Sequence, residues 1–274
     1  MTTPERIVRI ENPDDPRIAL YRDVRERDLV GRQGLFVAEG VVVLEKLLRS
    51  DRHRPESVLV AAKRTTALSS LLAQVPADTP IYAAEQAVMD ALVGFHIHRG
   101  VLAIGRRAPD ADPASLLASL AGHATVVVLV GLANHDNVGA VFRNAAAFGA
   151  AAVLLDADCC DPLYRKAIRV SVGAALDIPF ARLAPGSDFL QLLTHCDFEP
   201  VALSTSGAEV LADWRPAPRT ALFLGAEGPG LPPALLARVR AVRIPMAAGF
   251  DSLNVATASG LALHHVFAAR ISRG

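Results

Sequence analysis

From residue 125 onward, short runs built almost wholly of apolar residues alternate with stretches of helical periodicity. Thr125-Val-Val-Val-Leu-Val130 is the clearest run. Ala151-Ala-Val-Leu-Leu155, Pro200-Val-Ala-Leu-Ser204, Thr220-Ala-Leu-Phe-Leu-Gly225 and Ala241-Val-Arg-Ile244 follow it. A strand that is apolar at every position, and not only at every second one, is buried on both faces. Helical segments fall between and after the runs: Val138 to Phe148, Asp188 to His195, Pro232 to Arg238 and Asn254 to Ile271. The alternation predicts an α/β fold with a parallel sheet covered on both sides. Ligands of such sheets lie beyond the carboxyl ends of the strands, so the loops after these runs are where a site is sought.

Ahead of this region, Arg107-Ala-Pro-Asp-Ala-Asp-Pro113 has two prolines, three charges and no large apolar residue, the composition of a connector. It divides the chain into an expected first domain at 1–108, a linker at 109–122 and a second domain at 123–274. In the first, Gly34 to Leu48 reads as a short strand entering an amphipathic helix. Ser57-Val-Leu-Val-Ala61, Pro80-Ile-Tyr-Ala83 and Gly100-Val-Leu-Ala-Ile-Gly105 read as further strands of a small α/β unit. With 51% hydrophobic and 20% charged residues, both parts can bury enough apolar area to offset the entropy of folding. No stretch has the length of uninterrupted apolar sequence that a membrane span needs, and Met1 to Arg9 has no apolar core of a secretory signal. A cytoplasmic location and no membrane partner are therefore expected. Cys159, Cys160 and Cys196 form neither a disulfide framework nor a CxxC metal pair.

Three post-strand loops stand out: Gly131 to Gly149, Gly225-Ala-Glu-Gly-Pro-Gly-Leu231, and Ile244 to Gly260. A glycine-rich loop with one acid brings backbone N–H and C=O groups close to a small ligand. Gly225 to Gly230 is not a phosphate loop, because no Gly-Lys-Ser/Thr follows, and GxGxxG is absent from the first strand–helix turn. Glu227 would repel an anionic phosphate, so a neutral or cationic ligand is favoured.

Asn137-Val-Gly-Ala-Val-Phe-Arg143, Gly225-Ala-Glu-Gly-Pro-Gly230, and Ile244-Pro-Met246 with Ser252-Leu-Asn-Val255 resemble, in order and spacing, the three motifs of the SpoU (TrmH-like) ribose methyltransferases of the SPOUT class. The first half resembles that family's ribosomal-protein-like substrate-binding domain, through Phe36-Val-Ala-Glu-Gly40 and Arg99-Gly-Val-Leu-Ala103. The resemblance implies a C-terminal trefoil knot, a rarity among chain topologies. It also implies S-adenosylmethionine as cofactor, held by Leu224, Gly225, Ile244, Met246, Ser252 and Leu253, with no metal. Asn137, Arg143, Glu227, Ser252 and Asn254 match the active-site positions. A homodimer is implied, in which Arg143 of one subunit completes the other's site. The chain departs from the family in having Asn134-His-Asp-Asn137 where many relatives have Asn-Pro-x-Asn, which leaves the turn geometry there open.

The implied function is methyl transfer to a ribose 2′-hydroxyl of RNA, with ribosomal RNA as the expected partner. The alternatives are a transfer-RNA ribose methyltransferase and a non-catalytic RNA-binding module with a degenerate cofactor site. The formal net charge of zero requires any RNA surface to be local. Arg22, Arg25, Arg27 and Arg32 in the first domain, and Arg165, Lys166 and Arg169 beside Tyr164, are the candidates. Most of the candidate site residues also have a plainer role open to them. Ser252 is a natural cap for the last helix, and Asn137 and Asn254 could be cap or turn residues. Glu227 has no such duty. Arg143 sits among the apolar Val141, Phe142 and Ala145, where an idle charge is unexpected. His96 and His98 would share a strand face, but no third metal ligand accompanies them. His264-His265 fit an exposed or interface position, and Cys159-Cys160 fit packing.

Overall fold

A computed structural model describes residues 6–22, 33–93 and 100–272. Arg25, Arg27, Arg32, His96, His98 and Arg99 lie outside the described residues. By their contacts the residues form two compact units, one of Met1–Pro109 with Leu163–Asp177, the other of Asp110–Pro162 with Ile178–Gly274.

The first unit contains strands β1 (Ile7–Ile10) and β2 (Leu35–Glu39), helix α1 (Val41–Arg49), β3 (Arg54–Ala61), α2 (Ser69–Leu72), β4 (Ile81–Ala84), α3 (Gln86–Val93) and β5 (Val101–Arg106). Among the described residues these strands make one mixed sheet in the order β1-β4-β3-β5-β2, with β2 and β5 antiparallel. Phe36 stands opposite Gly105 in that pair, and its fully buried ring also meets His53 edge-on at 5.4 Å. A Cβ on Gly105 would fall 2.4 Å from the tip of the Phe36 ring. Glycine is needed there because the ring folds over the strand. Gly105→Ala is expected to cost about 1–3 kcal/mol through overpacking, read as a lower denaturation midpoint with unchanged slope.

Chain order continues with α4 (Pro113–Ser119), β6 (Ala124–Val130), α5 (His135–Ala147), β7 (Ala152–Leu155), α6 (Arg165–Val170), α7 (Ala174–Asp177), β8 (Phe180–Arg182) and α8 (Phe189–His195). It ends with β9 (Glu199–Leu203), β10 (Glu209–Val210), β11 (Arg219–Gly225), α9 (Pro233–Leu236), β12 (Arg240–Arg243) and α10 (Val255–Ile271). In the second unit the described strands form one parallel sheet in the order β10-β12-β9-β11-β6-β7-β8. Val126 and Val128 of β6 pack with Leu117, Leu190 and Leu193 on one face, while Val127 and Leu129 point to the other and are equally buried. Each such side chain contributes about 1.5–3 kcal/mol on leaving water, which is why the sequence tolerates no polar alternation here.

Three details differ from the sequence expectations. Residues 109–122 hold a helix, α4, rather than open connector throughout. Asp112 caps it by accepting from the Ser115 N–H at 2.8 Å, and Pro113 takes the first helical position. α5 begins at His135, three residues before the expected Val138, because Asn134 is its cap, accepting from the Asp136 N–H at 2.8 Å. The turn left open by the missing proline is thereby settled. The first helical N–H has no intrahelical partner in any case, so His135 serves where proline would. Finally, the short strands β1, β8 and β10 were not anticipated.

Candidate active site

A cavity of about 830 Å³ opens beyond the carboxyl ends of β9 and β11 and the segment after β12. Its walls include Leu224, Gly225, Ile244, Met246, Ser252 and Leu253, all six of the residues expected to hold a cofactor. Glu227 and Asn254 also line it. The sequence reading missed Ser204-Thr205-Ser206, which line it too. Their signal was available, since a polar run directly after an apolar strand marks the ligand end of a parallel sheet.

The glycine loop is folded tightly on itself. Ala226 bridges to Gly230, whose N–H donates to the Ala226 carbonyl at 3.0 Å, and Gly228 and Gly230 adopt φ of +83° and +69°. Gly225 lies so close that a Cβ there would meet the Gly230 carbonyl carbon at 2.4 Å and the Leu231 nitrogen at 2.5 Å. This turn presents Glu227 at the cavity wall.

Three side chains from the three loops meet at that point, and the start of α10 fixes how. Asn254, not Ser252, caps this helix: its Oδ1 accepts from the Ala256 and Thr257 N–H groups at 2.8 and 3.4 Å. With its oxygen committed to the helix, the Asn254 amide must turn its Nδ2 the other way. Nδ2 donates to Glu227 Oε1 and to Asn137 Oδ1, both at 3.0 Å. Asn137, buried with its oxygen taken, then donates its own Nδ2 to Glu227 Oε1 at 2.7 Å. Both amides converge on one carboxylate oxygen, and Glu227 Oε2 accepts from neither. Asn144, two turns after Asn137 on the same face of α5, donates to the Ala256 carbonyl at 2.7 Å and to Ser259 Oγ at 2.8 Å, which ties the two helices together.

Ser252 lies on the cavity wall, exposed. Arg143 is not part of the triangle and does not line the cavity. It is exposed on α5 and makes no ion pair or hydrogen bond with any described residue. Its apolar sequence neighbours turn inward while it turns out.

The expected RNA contacts fare unevenly. Arg22 donates to the Pro13 and Asp15 carbonyls at 2.8 Å each, and Arg165 faces the buried Glu39 at 3.5 Å, so both are engaged within the first unit. Lys166 and Arg169 are exposed on α6. Burial pushes the Cys159 thiol up to about 12, with the Asp156 carboxylate adding to it, and burial pushes Cys160 up to about 11. Neither supplies thiolate for chemistry. Among the described residues no three His, Cys, Asp or Glu side chains gather as metal ligands would, and no helix is long and apolar enough to cross a membrane.

An open parallel sheet with a large cleft beyond its strand ends, closed by a glycine turn, is the construction of an α/β enzyme that binds a small molecule. The chain belongs to the SpoU rRNA Methylase family, whose sequence model matches residues 124–264. It is 43% identical over 264 residues to an uncharacterised tRNA/rRNA methyltransferase of Mycobacterium bovis, covering 92% of this chain and 89% of that one. It is 31% identical over 183 residues to the 23S rRNA (guanosine-2′-O-)-methyltransferase of Vibrio vulnificus, covering 64% and 72%. The fold matches that of an rRNA methyltransferase from Sinorhizobium meliloti crystallised with AdoMet, with a TM-score of 0.81 at 21% identity, covering 97% of this chain and 98% of that one.

Proposed function

We propose that this protein transfers a methyl group from S-adenosylmethionine to a ribose 2′-hydroxyl of RNA, and that the RNA is ribosomal. The observation that carries the reading is the carboxylate of Glu227, held at the cavity wall by amides from two other motifs. The cavity suits a nucleoside-sized cofactor. Its volume is in the range of ligand sites, Leu224, Ile244 and Leu253 offer apolar surface, and among the described residues no basic side chain lines it to take a phosphate.

When bound, the cofactor supplies an electrophilic methyl on a sulfonium. The protein's task is to align the hydroxyl behind that methyl and to manage its proton. Glu227 Oε2, oriented through the bonds at Oε1, can accept a hydrogen bond from an incoming hydroxyl, and Ser252 can donate to it from the same wall. A guanidinium is a poor proton acceptor, so Arg143 stabilises the developing alkoxide or clamps the adjacent phosphate, and the proton leaves to phosphate or water. Because Arg143 is exposed and outside the triangle, the reading has it serve the site of a second subunit in a homodimer. The trefoil knot belongs to the same reading; its support is the family and the return of the chain after β12 to lay α10 along α5.

The test is to map 2′-O-methyl groups in ribosomal and transfer RNA from cells with and without the gene. Loss of one ribosomal methyl is expected; loss from transfer RNA would replace the substrate, and no loss would refute the reading. Arg143→Ala is expected to lower turnover about 10- to 100-fold, the scale of one lost hydrogen bond to a charged group. Near-normal turnover in Arg143→Lys would show that charge suffices and would rule out a bidentate clamp. A strictly monomeric active enzyme would rule out the shared site.

A further inference from the structure

Among the described residues, two of the side chains lining the cavity are ionisable, Glu227 and Asp251, and both are carboxylates; no lysine, arginine or histidine is with them. Three acids elsewhere in the second unit are matched by cations. Asp188 pairs with Arg238 at 2.8 Å, and Arg240 serves Glu199 at 3.1 Å and Glu209 at 2.7 Å. The cavity pair is not. Glu227 is bonded by neutral amides, and Asp251 makes no ion pair or hydrogen bond with any described residue. The cleft therefore carries negative charge that the protein leaves uncompensated, and a concave wall of one sign concentrates its field on whatever enters.

Resting on the function proposed above, the charge of the ligand changes during the reaction. Transfer breaks the S–CH3 bond and forms an O–CH3 bond. The bonding pair stays on sulfur and the hydroxyl proton departs. S-adenosylmethionine, with one net positive charge, becomes S-adenosylhomocysteine, with none. We infer that Asp251 is a specificity-determining residue that, with Glu227, makes this cavity prefer the cationic cofactor to its neutral product, so that the transfer itself loosens the product. Asp251 sits one residue before Ser252, on the loop that follows β12, and lines the same cavity as the residues expected to hold the cofactor.

The experiment is calorimetry on the full chain with S-adenosylmethionine, S-adenosylhomocysteine and sinefungin, an analogue that carries an added amine near the sulfonium position in place of the methyl. In the unaltered protein the ratio of cofactor to product affinity should fall as salt is raised, and sinefungin should follow the cofactor. Asp251→Asn should lower that ratio on the order of fivefold, the scale of one partly screened unit charge. It should do so by weakening the two cationic ligands and leaving the product unchanged. Asp251 is exposed and unbonded, so this variant leaves the fold alone. A ratio indifferent to both salt and Asp251→Asn, or an equal loss for product and cofactor, would overturn the inference while leaving the methyltransferase reading intact. Failure of all three ligands to bind the unaltered protein would overturn both.

Discussion

Gly225→Ala removes cofactor binding and lowers the melting temperature together. The new methyl has nowhere to go, since it would meet backbone atoms of Gly230 and Leu231 at 2.4 to 2.7 Å, and backbone, unlike a side-chain tip, cannot rotate aside. The Ala226–Gly230 bridge must open, and with it the wall that carries Glu227. Overpacking of this kind costs about 1–3 kcal/mol, or roughly 3–10 °C in a unit of this size. The expected loss of S-adenosylmethionine affinity is at least about 100-fold, because displacement by even an ångström misplaces the cofactor's contacts. Calorimetry and a thermal melt on one sample decide it. Wild-type affinity at a wild-type Tm would mean that the loop gives way easily and that its closeness has no role.

The second large effect separates the two duties of Asn254. Serine is as good a helix cap as asparagine, so Asn254→Ser should hold α10 in place and change stability by no more than about 0.5 kcal/mol. It has no amide to donate across to Glu227 and Asn137, however, and those lose both 3.0 Å bonds. Turnover is then expected to fall two to three orders of magnitude, the range seen when one preorganised donor is removed from an active site. S-adenosylmethionine affinity should stay within a few-fold. Asn254→Ala adds loss of the cap, on the order of 1 kcal/mol, to the same catalytic defect. If Asn254→Ser turned over normally, the triangle would be a packing feature and Glu227 would need another source of orientation.

What the sequence disclosed follows from how far each signal travels along the chain. β6 announces itself because every residue from Val126 to Leu129 is buried, and burial on two faces leaves a run that local composition records. The cavity walls were legible as loops for the same reason, each lying directly after such a run. β8 and β10, of three and two residues, are too short to show a period. α4 does carry a local signal, since Asp112 followed by Pro113 is the signature of a helix start. The choice between Ser252 and Asn254 as cap could not be made from composition, because both residues cap well and only the path of the chain selects one. Arg165 read as a solvent-facing cation; its partner Glu39 is 126 positions earlier and buried, which nothing near Arg165 reveals.

The triangle of Asn137, Glu227 and Asn254 has a bearing on how the protein reaches its native state. Its three members are separated by 90, 117 and 27 residues, so each bond closes a long loop of chain. Loop-closure entropy and the crossover connections of a parallel sheet make such contacts slow to form. A chain that has collapsed with its strands in place but its last helix wrongly docked keeps its circular dichroism and lacks the triangle. Recovery of catalytic activity after refolding therefore reports the completed topology, whereas recovery of secondary structure reports only an earlier stage of assembly.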